Sequence, residues 1–167
     1  MQTGLYVVMG VSGAGKSIIG AQLARALDVA FLEGDDLHPP ENVRRMAAGT
    51  PLTDDDRHGW LIAIAARLRD AKRAGVGLVV ACSALKRRYR ELLRSVGAGD
   101  LRFVYLKGSR ELIAERLAQR PGHFMPPALL DSQLATLEEP AADERAWVCD
   151  IRETPDAIVT DVVKRST

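Results

Sequence analysis

Three glycines, a lysine and a serine at fixed spacing carry the chemistry that can be read first. They stand in the run Gly10-Val11-Ser12-Gly13-Ala14-Gly15-Lys16-Ser17. This matches G-x-x-x-x-G-K-[ST], the loop that cradles the phosphates of a nucleoside triphosphate. Before it, Leu5-Tyr6-Val7-Val8-Met9 reads as a buried strand, and after it Lys16–Leu27 reads as a helix with Ile19, Leu23 and Leu27 on one face. A strand turning through glycines into a helix aims backbone N–H groups and the positive end of the helix dipole at one point, which suits a polyphosphate such as ATP. In that setting Lys16 reaches the β- and γ-phosphates and Ser17 ligates Mg²⁺. The bland alternative is a glycine-rich turn that binds nothing.

Further chemistry-bearing residues follow the other apolar runs. Glu33-Gly34-Asp35-Asp36 ends the second run, and Glu33 and Asp35, two apart, share one face of an extended segment. A carboxylate there can hold Mg²⁺, directly or through water, or accept the proton of an attacking hydroxyl. Without a phosphate loop nearby it would be only a polar turn. The third run, Leu78–Cys82, is followed by Ser83 and not by an acid, which argues against a motor or AAA-type ATPase and leaves Glu33 and Asp35 as the metal-side acids. His38 lies just past their turn, as a substrate contact or a structural histidine. Arg45 and Arg57 are candidate forks for an anionic substrate. Arg44 reads as a solvated charge, and Asp54–Asp56 as acids favouring a helix N-terminus. Arg116 and Arg120, four apart, share a helix face before a Pro/Gly-flanked loop. They suit a lid that neutralises charge during phosphoryl transfer, or simply a basic helix end. Lys86 is a substrate contact or a surface lysine.

These residues need a scaffold, and the chain supplies one. Strand-like and helix-like runs alternate as in an α/β fold with a parallel sheet. Five strands are expected: Leu5–Met9, Ala30–Leu32, Leu78–Cys82, Arg102–Leu106 and Ala146–Ile151. Helices are expected from Pro39/Pro40 to about Ala48, from Thr53 (N-cap) to about Lys72, and from about Lys86 to Arg94. Others run from Ser109 (cap) to near Arg120, from about Ala128 to Leu137, and from Thr154-Pro155 onward. In such a sheet, ligands bind beyond the carboxyl ends of the strands, where the candidates above fall. The 167 residues suit one domain. With 23 basic and 22 acidic side chains, there is no broad electrostatic case for nucleic acid or an anionic membrane as partner. No apolar run is long enough to span a bilayer and no signal pattern opens the chain, so a cytoplasmic location is expected. Cys82 and Cys149 read as reduced, buried thiols. The absence of N-K-x-D argues against a guanine-nucleotide switch.

Five segments together make the chain resemble the gluconate kinase (gluconokinase) family, relatives of shikimate and adenylate kinases. They are GVSGAGKS (10–17), GDDLHPPENVRRM (34–46), GTPLTDDDRHGWL (49–61), CSALKRRYR (82–90), and 122–140 with its HFM, LL-x-SQ and LEEP elements. The phosphate loop alone is widely shared. The LHP turn, PL-x-D-x-DR and CSALK are far more specific. The resemblance implies a three-layer phosphate-loop kinase fold with a five-stranded parallel sheet in the order 2-3-1-4-5 and a helical lid at about 116–137. It also implies transfer of phosphate from ATP to the 6-hydroxyl of D-gluconate with Mg²⁺, commonly by a homodimer. By position, Lys16 and Ser17 serve phosphate and metal with Glu33, and Asp35 faces the acceptor hydroxyl. Arg116 and Arg120 belong to the ATP side. His38, Arg45, Arg57, Ser83, Lys86 and His123 line the sugar-acid pocket. Two departures stand out: Glu33 where many members have Asp, and Gly59 before Trp60 where Pro is common.

Overall fold

The computed structural model describes residues 3–120 and 127–167. Five strands form one all-parallel sheet: β1 (Leu5–Met9), β2 (Ala30–Glu33), β3 (Leu78–Ala81), β4 (Arg102–Lys107) and β5 (Trp147–Asp150), in the order β2-β3-β1-β4-β5. This is the expected order. The central strand is apolar at every position because both of its faces are covered. Leu5, Val7 and Met9 point to one face and Tyr6 and Val8 to the other. Val7 lies beside Val80 of β3 and Phe103 of β4.

Helices close both faces. On the first, α3 (Asp54–Ala74) lays Trp60, Leu61, Ile64 and Leu68 against Val7, Met9, Val80 and Phe103. On the second, α1 (Lys16–Leu27) and α7 (Pro155–Ser166) bury Leu23, Leu27, Ile158 and Val162 against Val8, Val79, Val104 and Leu106. Burying an aliphatic side chain of this size contributes about 1.5–3 kcal/mol, so the two layers dominate the fold's stability. The remaining helices are α2 (Pro40–Ala47), α4 (Arg87–Leu92), α5 (Arg110–Ala118) and α6 (Pro127–Thr136). Among the described residues, no helix is long and apolar enough to cross a membrane.

Helix ends follow their sequence signals. Thr53 and Asp56 form a reciprocal capping box at the start of α3, and Ser109 and Thr154 cap α5 and α7. Two boundaries differ from expectation. The helix expected over Lys86–Arg94 is α-helical only over Arg87–Leu92 and widens into a π turn at Leu93–Gly97. That turn brings Gly97 so close to Ala65 of α3 that an added Cβ would lie 3.2 Å from the Ala65 carbonyl oxygen. Helix α5 stops at Ala118, so Arg120 lies beyond its C-cap Gln119 and does not share a helical face with Arg116. Pro121 follows, and the residue before a proline is disfavoured in helical geometry.

Candidate active site

β1 is the point where successive strands depart to opposite sides, and the loops after β1, β2 and β3 converge there. The phosphate loop is shaped by its glycines. Gly13 and Gly15 have φ of 87° and 98°, in the region that side chains with a Cβ avoid. A Cβ on Gly13 would also lie 2.7 Å from Leu117 of α5. The Gly10 N–H donates to the carbonyl of Ser83, 3.3 Å away, which joins this loop to the one after β3. Lys16 Nζ donates back to the Val11 carbonyl at 3.0 Å. Burial holds Lys16 below the ordinary lysine range. Asp35 and Glu33 oppose that shift, and the charge of Arg120 adds to it.

Glu33 closes β2, and its carboxylate accepts a hydrogen bond from the Ser17 hydroxyl. The longer arm of Glu therefore reaches the hydroxyl of the phosphate loop. Gly34 allows the following turn, because a Cβ there would lie 2.4 Å from the Ala81 carbonyl oxygen. The Trp60 indole N–H donates to the Gly34 carbonyl at 2.8 Å, and its ring stacks on His38 with centroids 4.1 Å apart. Asp35 and His38 are thus carried on one braced turn, with Asp35 Oδ1 3.9 Å from His38 Nε2. The two side chains differ sharply: Asp35 is 71% exposed and His38 only 3%. Burial lowers the His38 pKa, with Asp35 opposing, so the ring is neutral at pH 7. Asn42 of α2 directs one amide hydrogen to the Asp56 carbonyl at 2.8 Å and the other to His38 Nδ1 at 3.3 Å. That assigns the His38 proton to Nε2, on the side of Asp35.

A cavity of about 500 Å³ opens between these elements. Lys16, Asp35, His38, Arg57 and Ser83 line it, together with Ser12. The segment Met46–Leu52, Trp60, Leu85, and Leu129, Ser132 and Gln133 of α6 complete the wall. Arg57 donates to the Tyr89 hydroxyl at 3.1 Å, and that hydroxyl donates to Asp54. Two expected pocket residues do not line this cavity. Arg45 Nη1 donates to both carboxylate oxygens of Asp56 at 2.9 Å, and Nη2 donates to Glu41 at 3.0 Å. Lys86 pairs with Asp54 at 3.0 Å. Asp54 therefore does more than favour a helix N-terminus, since it gathers Lys86, Arg88 and Tyr89. Arg116 donates to the Ile151 carbonyl, tying α5 to the loop after β5. His123 lies outside the described residues.

The loop after β3 is clamped from below. Arg90, fully buried, donates to the Ala84 carbonyl at 2.8 Å and forks onto Glu144 at 2.7 and 3.0 Å. Ala84 itself sits at φ 46°. Cys82 is buried beneath the site, and burial pushes its thiol up to about 12, so it takes no part in acid–base chemistry. Among the described residues, no group of three or more His, Cys, Asp or Glu side chains could hold a metal alone. A Ser hydroxyl beside one carboxylate suits Mg²⁺, which keeps several waters and shares its coordination with substrate phosphates. The arrangement can therefore grip a polyphosphate and present a hydroxyl to a carboxylate beside it. Sequence reasoning gave no individual role to Trp60, Asn42, Tyr89 or Gln133, although each lies in a segment that carries the family resemblance. Trp60 left a further signal, since a buried indole N–H needs an acceptor.

A family model described as an AAA domain matches residues 5–140. The match holds although no acid follows β3, and relatives along nearly the whole chain specify the enzyme family. A gluconokinase from Gluconobacter oxydans is 48% identical over 95% of this chain and 88% of its own length. The thermoresistant gluconokinase of Escherichia coli is 44% identical over 96% and 91%. The crystal structure of a gluconokinase from Sinorhizobium meliloti superposes with a TM-score of 0.87 at 51% identity, covering 95% of this chain and 88% of that one. With this identity along nearly the whole length, a phosphate loop, and a pocket where Asp35, His38 and Arg57 meet it, the chain belongs to the gluconokinase family of phosphate-loop kinases.

Proposed function

We propose that this chain, acting as a single kinase domain, transfers the γ-phosphoryl group of ATP to the 6-hydroxyl of D-gluconate, giving 6-phospho-D-gluconate and ADP. The observation that carries this is one cavity lined by Ser12 and Lys16 of the phosphate loop and by Asp35, His38 and Arg57, in a chain so close to named gluconokinases. Backbone N–H groups of Gly13–Ser17 receive the phosphates, and Lys16 exchanges the Val11 carbonyl for their oxygens. Arg57 offers a two-pronged guanidinium to the C1 carboxylate of the sugar acid. Asp35 orients the 6-hydroxyl and accepts its proton as the O6–Pγ bond forms and the bond from Pγ to the β-bridging oxygen breaks. His38 Nε2–H is a donor for a sugar hydroxyl on the same side. Arg120 is the guanidinium that neutralises charge developing on the phosphoryl group. Ser17 and Glu33 would hold Mg²⁺ directly or through water. When bound, that ion neutralises charge on the β- and γ-oxygens. Positioning and charge neutralisation outweigh base strength if the transition state is loose.

The test is ADP release from Mg²⁺-ATP with D-gluconate, shikimate, AMP, CMP and glucose in parallel. Turnover with gluconate alone is the expected result. Turnover with another acceptor and not gluconate overturns the substrate and leaves the phosphate site standing. A homodimer and a cytoplasmic location belong to the same reading, and light scattering on the purified chain tests the dimer.

A further inference from the structure

Gln133 has no role in the chemistry above, yet it makes the most direct contact between α6 and the phosphate loop. Its side-chain oxygen accepts from the Ser12 N–H at 2.8 Å, and its side-chain nitrogen donates to the Ser12 hydroxyl at 3.1 Å. The two residues are 121 positions apart. A primary amide can do both with one side chain, since it carries an acceptor and a donor side by side. Elsewhere α6 is held by Leu130, the one buried residue among its ten, by Leu134 packed on the same core, and by an exposed fork from Arg110 of α5 onto Asp131. Ser12, Gln133, Asp35 and His38 line the same cavity, so this contact lies where phosphate loop and acceptor pocket adjoin. The bond also occupies the Ser12 N–H, leaving those from Gly13 onward for phosphate.

We infer that Gln133 is a positioning residue for phosphoryl transfer. By holding α6 on Ser12 it keeps the wall of the acceptor pocket in register with the phosphate loop, so that an acceptor hydroxyl and not water faces the γ-phosphorus. This rests on the kinase reading above. A carboxylate at this position keeps the contact to the Ser12 N–H but loses the donor and sets a negative charge beside the phosphates. Removing the amide entirely frees α6 from the loop.

The experiment compares the wild-type chain with Gln133→Ala and Gln133→Glu, measuring ADP released against phosphorylated acceptor formed, KM for each substrate, and the thermal midpoint. Wild type should form one product per ADP. Gln133→Ala should lower kcat/KM for the acceptor about tenfold, from the loss of two neutral hydrogen bonds. It should release more ADP than product, with KM for ATP within about twofold and the midpoint unchanged. Gln133→Glu should lose more in kcat than Gln133→Ala. A one-to-one ratio with unchanged acceptor kinetics in Gln133→Ala overturns the inference. So does a parallel loss for both substrates with a lowered midpoint, which is the mark of a merely structural role. The ratio is taken with whichever acceptor the wild type uses, so a wrong substrate and a wrong role for Gln133 give different results.

Discussion

The two sides of the cavity are built differently. On the phosphate side, the loop grows out of β1, whose Val7, Val8 and Met9 are wholly buried, and it is bonded to the loop after β3 through Gly10 and Ser83. Beneath that second loop, the Arg90–Glu144 pair is sealed from solvent and grips the Ala84 carbonyl. On the acceptor side, α2 buries only Asn42 and α6 only Leu130. Polar bridges hold these two helices in place: Asn42 to His38 and Asp56, Arg45 to Asp56, Gln133 to Ser12, and Asp131 to Arg110 of α5. Triphosphate recognition is thus built into the sheet, while acceptor recognition hangs on a few hydrogen bonds at its rim. Locally weak elements of this kind are the ones that open and close at low free-energy cost.

Substitutions on each side should separate chemistry from scaffold. The largest effect is expected for Asp35→Asn, which should lower kcat by about 10²–10⁴-fold. Because Asp35 is mostly exposed, the thermal midpoint should stay put. An unaltered kcat would remove Asp35 from the role of base. Next comes Glu144→Gln, which leaves the Arg90 charge buried without its partner and should cost about 3–5 kcal/mol in urea unfolding. Burial alone would raise the Glu144 carboxyl, but the Arg90 fork outweighs it and holds the group at about 2, below its ordinary 4.5. Its contribution is therefore complete above pH 4.5 and is lost as the pH falls through about 2. The wild-type acid limb should show this loss and the variant should not. A variant within about 1 kcal/mol of wild type would mean that packing alone stiffens the phosphate side. The smallest effect is a gain. Gly59 lies in α3 with nothing within 4 Å of an added Cβ, so Gly59→Ala should stabilise by about 0.5–1 kcal/mol at unchanged turnover. A loss of activity there would tie the helix entry to the acceptor side.

Much of this was legible in the chain before its fold was known, for a physical reason. The five strands are short apolar runs ending in turn residues, and the strand order follows from the family resemblance that those turns carry. Glu33, Asp35, His38 and Ser83 could be placed because each sits at a strand end or a few residues past one, where topology leaves no choice of direction. Arg45 and Lys86 were harder. A basic residue near a site is claimed by whichever acid is closest in space, and Asp56 and Asp54 lie 11 and 32 positions away. Gln133 and Ser12 are further still apart, and nothing local marks a glutamine as half of such a bond. Arg120 leaves the face of Arg116 for a simpler reason: the proline after Arg120 disfavours helical geometry at the residue before it, and α5 ends at Ala118.

The sealed thiol under the phosphate loop has a practical consequence. A cysteine reacts with peroxides, alkylating agents and disulfides through its thiolate, and burial pushes the Cys82 thiol up to about 12. Cys149, the other cysteine in the chain, is pushed up to about 11 in the same way. Turnover should therefore be indifferent to the redox poise of its surroundings, and the folded protein should tolerate handling without reductant.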